Sequence, residues 1–518
     1  MDDAWMFLRY AKHWLDGQGF SWNPEDGASY GATSVLYLFI ITTLRGLSDW
    51  PDAHLLGRTS FAFGLLSCLV LVYLGFLLNR NRDVKRYWLP LLIIPNLLLI
   101  PAFGYHCLSG METTLSLLMN SLLACFVVVW SDRRSSSSFI FCIFLGYLSF
   151  LARPDSGLLA LLFPPLYFAA TERKLWRYSI QYAAFFILIL GLDLCLKQFL
   201  LGSFLPFSFY AKGNGFYRGY LGISKWNAVS EMILFWNMVL PSVILLILLS
   251  NRKVFARLVA IGIPVVLTFG YHATVIQIMG YNARYYCPFL PFFIMAAFLA
   301  LSPQREEVIH AVTSHSLLVV RASMIFMALL PALFTPIGNK AAHWWQSKII
   351  DRPTAFHAQR QYIKPSTKDL PELGWSNGVI QMISLLKHMP PDIVVAASEH
   401  GIIGAEFPEL TIIDILGLHD RYIAYHGFSA EYLLARKPDI IWFPHSDYSY
   451  EIAAILDNDI FALDYDFYPG AYDYGIAVRT TSPVFSNIQF VLNEEFIRVY
   501  PGLKLADYRA EAIISYDD

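Results

Sequence analysis

The chain has 518 residues, of which 56% are hydrophobic and only 15% charged, and its mean hydropathy is +0.46. Soluble chains carry roughly 45–50% apolar and about 25% charged residues, so this composition excludes an ordinary soluble enzyme, a disordered tail and a nucleic-acid binder. The net charge of −2 conceals a division: residues 1–339 hold 24 Lys and Arg against 16 Asp and Glu, and residues 340–518 hold 14 against 24. A basic membrane half is thus followed by an acidic polar half.

The chain opens on Asp2-Asp3-Ala4-Trp5-Met6-Phe7-Leu8-Arg9-Tyr10-Ala11, which reads as an amphipathic helix lying on a membrane. Tandem carboxylates there can serve as a general base or bind a cation. They can equally be an acidic cap at the positive end of a helix. An apolar helix is expected upstream of Met1. Residues 32–47 are apolar and predict a short helix, with Arg45 at its wet end.

Ten apolar runs follow, at about 55–78, 88–104, 111–130, 138–152, 156–170, 178–200, 229–249, 258–279, 286–301 and 317–336. Most reach the length that crosses a bilayer as a helix. The pair 138–152 and 156–170 is short and fits a re-entrant or mismatched hairpin as well. Basic clusters occupy alternate loops: Arg80/Arg82/Lys85/Arg86, Arg133/Arg134, Arg173/Lys174/Arg177, Arg252/Lys253/Arg257, and Arg305. The positive-inside rule places those loops in the cytoplasm, and the intervening loops and both chain ends outside. A crossing at 32–47 would invert the loop 79–87 against its positive charges, so 32–47 is read as an outer juxtamembrane helix.

After residue 340 short β-branched runs, Ile393–Ala397, Thr411–Ile415 and Asp439–Phe443, alternate with helical stretches such as Ala430–Lys437. This predicts a small extracytoplasmic α/β domain with some parallel strands over 340–518. The expected fold is therefore a polytopic α-helical membrane domain over 1–339, with about ten crossings, joined to that domain. The six cysteines, Cys68, Cys107, Cys125, Cys142, Cys195 and Cys287, lie in or beside apolar segments with no metal-ligand spacing, and none lies in the polar domain.

Polar residues in the outer loops are the candidates for chemistry. Glu112 stands at the outer mouth of a membrane helix, where a capping role and a site role both fit. Arg153 and Asp155 lie between two apolar runs, where charges pair with each other or serve a site. Lys212 and Arg284 can hold a phosphate or act as snorkelling anchors. Tyr285 and Tyr286 fit an aromatic belt or a site. Asp414 and Asp420 follow a strand, where α/β folds often place ligand contacts; Asp420 also fits a turn or cap.

Taken in order these pieces resemble a known family. The stretch from Asp2 to Tyr37 resembles the first outer loop of polyprenyl-phosphate-sugar-dependent membrane glycosyltransferases of the GT-C class, above all relatives of the mycobacterial terminal β-(1→2)-arabinofuranosyltransferase. The resemblance extends through Ser109-Gly110-Met111-Glu112-Thr113-Thr114-Leu115 and Leu151-Ala152-Arg153-Pro154-Asp155. It continues in Pro206-Phe207-Ser208-Phe209-Tyr210-Ala211-Lys212, in Arg284-Tyr285-Tyr286-Cys287-Pro288 and in Asp414-Ile415-Leu416-Gly417-Leu418-His419-Asp420. Ser156 and Ser208 depart from the family pattern, which has Gly and Asn there.

The resemblance implies transfer of a sugar from a polyprenyl-phosphate donor to a cell-envelope glycan or glycolipid, at the outer face of a bacterial inner membrane. Asp2 or Asp3 would be the catalytic base. Lys212, Arg284 and Arg153 would bind the donor phosphate, and Glu112, Asp155, Tyr285, Asp414 and Asp420 would shape the sugar pocket. No nucleotide-binding motif is present, which suits a lipid-borne donor. A divalent cation is compatible, although no spacing requires one. Two other readings share the membrane topology: a lipid-linked-sugar transporter or flippase, and an O-antigen ligase or polymerase that moves whole glycans.

Overall fold

The computed structural model describes residues 2–79, 89–98, 100–213, 252–272, 281–300, 340, 363–364, 370–445 and 448–512. The apolar runs 229–249 and 317–336, the basic stretch 80–86 and Arg305 lie outside these residues. The chain begins with α1 (Asp2–Leu15), whose first turn is acidic and whose last turn carries Lys12 and His13. That polarity suits the helix dipole at both ends. Helix α2 (Val35–Leu47) starts at Ser34, whose hydroxyl accepts the Tyr37 amide. Its 13 residues rise about 20 Å, short of the roughly 30 Å hydrocarbon core.

Four described helices are long and apolar enough to cross a membrane: Asp52–Asn79 (α3), Thr113–Arg133, Trp176–Leu201, and Phe255–His272 within a helix that begins at Arg252. Thr113–Arg133 is central and almost entirely buried, whereas Trp176–Leu201 turns most of its side chains outward. Its Ile187, Leu188, Leu192, Leu196 and Phe199 are exposed. Such a continuous apolar face suits lipid rather than water. The shorter helices Ser136–Ala152 and Gly157–Thr171 meet at a tight connection that carries Arg153 and Asp155.

The run 88–104, expected as one crossing, is broken into Leu89–Leu92, Ile93–Leu98 (α4) and Pro101–Leu108 (α5). Pro90, Pro95 and Pro101 lack the amide donor that an interior helical turn requires. Helices α6 (Thr113–Arg133), α7 (Ser136–Ala152), α8 (Gly157–Thr171), α9 (Trp176–Leu201), α10 (Phe207–Gly213), α11 (Arg252–His272) and α12 (Leu290–Ala300) follow.

The later residues form a five-stranded sheet. Its order is Thr411–Asp414, Val394–Ala397, Ile440–Trp442, Ile476–Arg479, Tyr465–Tyr468. The first three strands are parallel and the last two antiparallel to their neighbours. The three runs expected as strands are thus the parallel ones. Alternation along each strand gives the sheet two faces. Ala396, Ile413, Ile441 and Phe467 pack under Leu433, Ile455 and Phe461. Val395, Ile412, Ile440, Trp442 and Val478 join a second cluster that continues through α1 and α2 to Leu55, Met111 and Leu115 at the tops of the apolar helices.

Helix α1 is fixed to the sheet by buried polar groups. Arg9 is fully buried and donates to the carbonyls of Trp22 (2.6 Å), Gly404 (3.0 Å), Phe407 (3.0 Å) and Leu410 (2.7 Å), and to Asn23 Oδ1 (3.1 Å). The Asn23 side chain pairs with both the amide and the carbonyl of Ile412, at 3.0 Å each. It thereby completes the ladder of the sheet's edge strand.

Charge-assisted hydrogen bonds contribute roughly 1.5–3 kcal/mol each, and their orphaned acceptors would be buried. Arg9→Met is therefore expected to destabilise the full chain by at least about 3 kcal/mol. Arg9→Lys should recover less than half of that, because an ammonium lacks the planar fork. Thermal unfolding in detergent reads this directly. An unchanged Tm in Arg9→Met would show that docking does not depend on the guanidinium.

Candidate active site

A cavity opens where α1, the loop 31–33 and the ends of several apolar helices meet the sheet-bearing half. Its wall contains Asp3, Glu112, Arg153, Asp155, Lys212, His272, Arg284, Tyr285 and His419. The chain's topology gathers them. Glu112 stands at the start of α6, Arg153 and Asp155 join α7 to α8, Lys212 ends α10 and His272 ends α11. Each of α6, α7, α8 and α11 has one end at this cavity. At or beside the other end lies a basic cluster, at 133–134, 173–177 or 252–257.

The charges alternate in a ladder. Arg153 donates from Nε and Nη2 to the two Asp155 oxygens, at 3.1 and 2.6 Å, and its Nη1 lies 3.7 Å from Glu112. Arg284 donates to Glu112 at 3.0 Å and to Asp3 Oδ2 at 3.1 Å. His272 Nε2 stands 3.5 Å from Asp155 Oδ2. The Arg153 guanidinium lies over the Tyr285 ring, 5.0 Å from its centre. Burial alone would raise the Asp155 carboxyl, but Arg153 and then His272 outweigh it and hold the group below its ordinary value. Lys212 differs: among the described residues no carboxylate pairs with it.

Seven of the ten residues singled out in the sequence therefore share one cavity: Asp3, Glu112, Arg153, Asp155, Lys212, Arg284 and Tyr285. Asp2, Asp414 and Asp420 do not line it. The Asp2 carboxylate turns the other way and accepts the amides of Gly401 (2.8 Å) and Ile402 (2.7 Å), capping α14 (Gly401–Glu406; α13 is Trp375–Lys387). Burial pushes its pKa up, against the pull of His400 and of those amides.

Asp414 accepts the amides of Leu416 (2.8 Å) and His419 (2.6 Å). Asp420 caps the helix Arg421–His426 through the Ile423 amide (3.0 Å) and pairs with Arg436 at 2.9 Å. All three answer backbone donors that would otherwise be orphaned. Sequence reasoning missed His272 and His419. His272 is hidden in an apolar run. His419 stands between Asp414 and Asp420, whose carboxylates are the stronger sequence signal.

The architecture is that of a GT-C fold: a mostly helical body with several apolar helices and a small C-terminal sheet, with the cavity between them. A solved structure with this architecture, titled ArnT from Cupriavidus metallidurans bound to undecaprenyl phosphate, superposes with a TM-score of 0.51. The two chains are 13% identical, and the alignment covers 93% of this chain and 94% of that one. At that identity the likeness carries the fold. Residues 371–486 match a family described as "Domain of unknown function (DUF8728)". No match is found among curated proteins.

The ladder yields a prediction. Removing one charge from a buried pair typically destabilises by about 3–5 kcal/mol, because the partner charge stays behind. Glu112→Gln and Arg284→Gln should each lower Tm markedly. The double variant should be less destabilised than their sum by about 1–3 kcal/mol. Strict additivity in this cycle would deny the coupling.

Proposed function

We propose that this protein is a membrane glycosyltransferase that moves a sugar from a polyprenyl-phosphate donor to a cell-envelope glycan or glycolipid. The observation that carries the reading is the convergence of Asp3, Lys212 and the Arg153–Glu112–Arg284 ladder in one cavity of an ArnT-like fold. The titled ligand of that structure, undecaprenyl phosphate, supports a polyprenyl phosphate as donor carrier here.

In this reading Asp3 is the general base. It takes the proton of the acceptor hydroxyl as that oxygen bonds to the anomeric carbon, while the bond from that carbon to the phosphate oxygen breaks. The lipid phosphate leaves with the electron pair. Lys212 is its first cation, since the two arginines are already shared among carboxylates, and Arg284 and Arg153 stand behind it as further donors to the phosphate. Glu112, Asp155 and Tyr285 shape the sugar pocket. Asp2 becomes a positioning residue, and Asp414 and Asp420 shape the turn behind the cavity wall. The transferred sugar in this reading is a hexose or a pentose; the motif likeness favours neither over the other, because Ser156 and Ser208 depart from the family pattern.

The cavity and the C-terminal domain are assigned to the outer side of a bacterial inner membrane. The support is that the basic clusters lie at the helix ends away from the cavity.

The test uses the full chain in nanodiscs, offered undecaprenyl- and decaprenyl-phosphate-linked arabinose, galactose, glucose and mannose, with a cell-envelope extract as acceptor. Asp3→Asn should keep undecaprenyl-phosphate binding within about two-fold yet lower transfer by about 10²–10⁴-fold, the range of a lost general base. Lys212→Ala should weaken undecaprenyl-phosphate binding by about ten-fold or more. Full transfer in Asp3→Asn sinks the base assignment. Labelled lipid crossing liposomes with no sugar transferred points to a transporter instead.

A further inference from the structure

At the cavity wall and behind it, three side chains meet that the proposed reaction does not use as reactants. His400 precedes α14, Asp414 ends the edge strand Thr411–Asp414, and His419 sits in the turn after it. All three are buried, His400 completely. A nitrogen of each imidazole and an oxygen of Asp414 lie within 4.8 Å of one another, and His400 Nδ1 stands 3.6 Å from Asp414 Oδ1. Among the described residues neither ring nitrogen of His400 nor Nε2 of His419 has a hydrogen-bond partner. A neutral imidazole offers one donor and one acceptor, and each such group buried and unmet costs about 1–3 kcal/mol. One unmet nitrogen from each ring and an Asp414 oxygen around one buried point call for an occupant.

The surroundings favour a metal ion over a water molecule. Tyr10 Oη engages His419 Nδ1 at 3.0 Å, which leaves Nε2 for a ligand. The His419 ring stacks on Trp22 at 4.0 Å and 10°, and Trp22 is itself held by its indole N–H to the Ile412 carbonyl at 2.9 Å. Both Asp414 oxygens are aimed by backbone amides. Fixed rings and aimed carboxylates are how proteins orient metal ligands from behind. Ligands of a tetrahedral ion with bonds of about 2.0–2.1 Å lie roughly 3.3 Å apart, so the 3.6 Å His400–Asp414 edge is close to that geometry. Two imidazoles and one carboxylate select zinc-type ions over magnesium or calcium.

We infer that His400, Asp414 and His419 bind one divalent transition-metal ion of the zinc type, with a fourth position left for water. The ion would pin the 414–419 turn, whose Leu418 and His419 form part of the cavity wall. This site does not depend on the glycosyltransferase reading.

The test takes the full chain in detergent with any affinity tag removed, strips it with a chelator, exposes it to ZnCl₂ or CoCl₂ and desalts it. The expected result is one equivalent of zinc by elemental mass spectrometry, visible absorption bands for the cobalt form, and a higher Tm with zinc. His400→Ala and Asp414→Asn should retain less than a tenth of the wild-type zinc. Less than a tenth of an equivalent in the wild-type chain, with no cobalt bands, would mean a buried water only. Equal zinc in His400→Ala would place the ion elsewhere. If the variants fail to fold, the wild-type stoichiometry and cobalt spectrum still decide, because neither requires them.

Discussion

The way α1 is held fixes where Asp3 stands in the cavity. Its first residues alternate in duty. Asp2 reaches into the sheet-bearing half and takes two α14 amides, and the next carboxylate, Asp3, faces Arg284. Successive side chains on a helix diverge by about 100°, so the two neighbours cannot serve the same partner. Seven residues on, Arg9 repeats the docking on the same side with five hydrogen bonds. Burial pushes its pKa down to about 9, against the opposing pull of Glu25, Tyr10 and Glu409, so it remains a cation at neutral pH. A buried cation with five fixed acceptors adds specificity as much as stability, because a helix rotated or slid by one residue would strand it.

The cavity's charge follows from the same arrangement. From Asp155 through Arg153, Glu112 and Arg284 to Asp3, carboxylate and guanidinium alternate across segments far apart in sequence. Three carboxylates share two guanidiniums, so both cations of the ladder are committed and neither is left over for an incoming anion. Lys212 stands outside that pairing. In the proposed reaction this division separates two tasks. The ladder holds the pocket's shape before a substrate arrives, and the lysine meets the charge that arrives with it. A pocket with three uncommitted cations would bind the leaving lipid phosphate as firmly as the donor and gain nothing in rate.

The sequence shows the fold more clearly than the site. Apolar length, the proline and glycine punctuation and the β-branched runs are local signals. They locate the long apolar helices, the short helix within 32–47 and the parallel strands. They fail at 88–104, where three prolines outweigh hydropathy. Seven of the ten residues given a site role converge on one cavity because the ends of the apolar helices that carry them meet there, where buried charges must pair or work. Asp2, Asp414 and Asp420 diverge because a carboxylate beside a helix start or strand end looks the same whether it caps a backbone or faces a ligand. Arg9 was invisible for the converse reason: on an amphipathic helix an arginine reads as solvated until the partner surface that buries it is known.

The split between a basic half and an acidic half acquires a physical sense from this. One described pair of opposite surface charges, Arg436 with Asp26, links the halves and is of the kind that salt screens. Around the cavity the halves are joined by buried, short-range bonds to backbone groups, from Asp2, Arg9, Trp22 and Asn23. Bonds of that kind specify register and are insensitive to ionic strength. The charge asymmetry is therefore free to do something else. In the proposed orientation the basic clusters hold the helix ends at the cytoplasmic face, while the acidic half stays in solution above an anionic membrane surface that repels it. The seat of the sheet-bearing half over the cavity is set by those buried bonds, together with the contacts of Arg421 to the Leu201 carbonyl and of Ser203 to Tyr425.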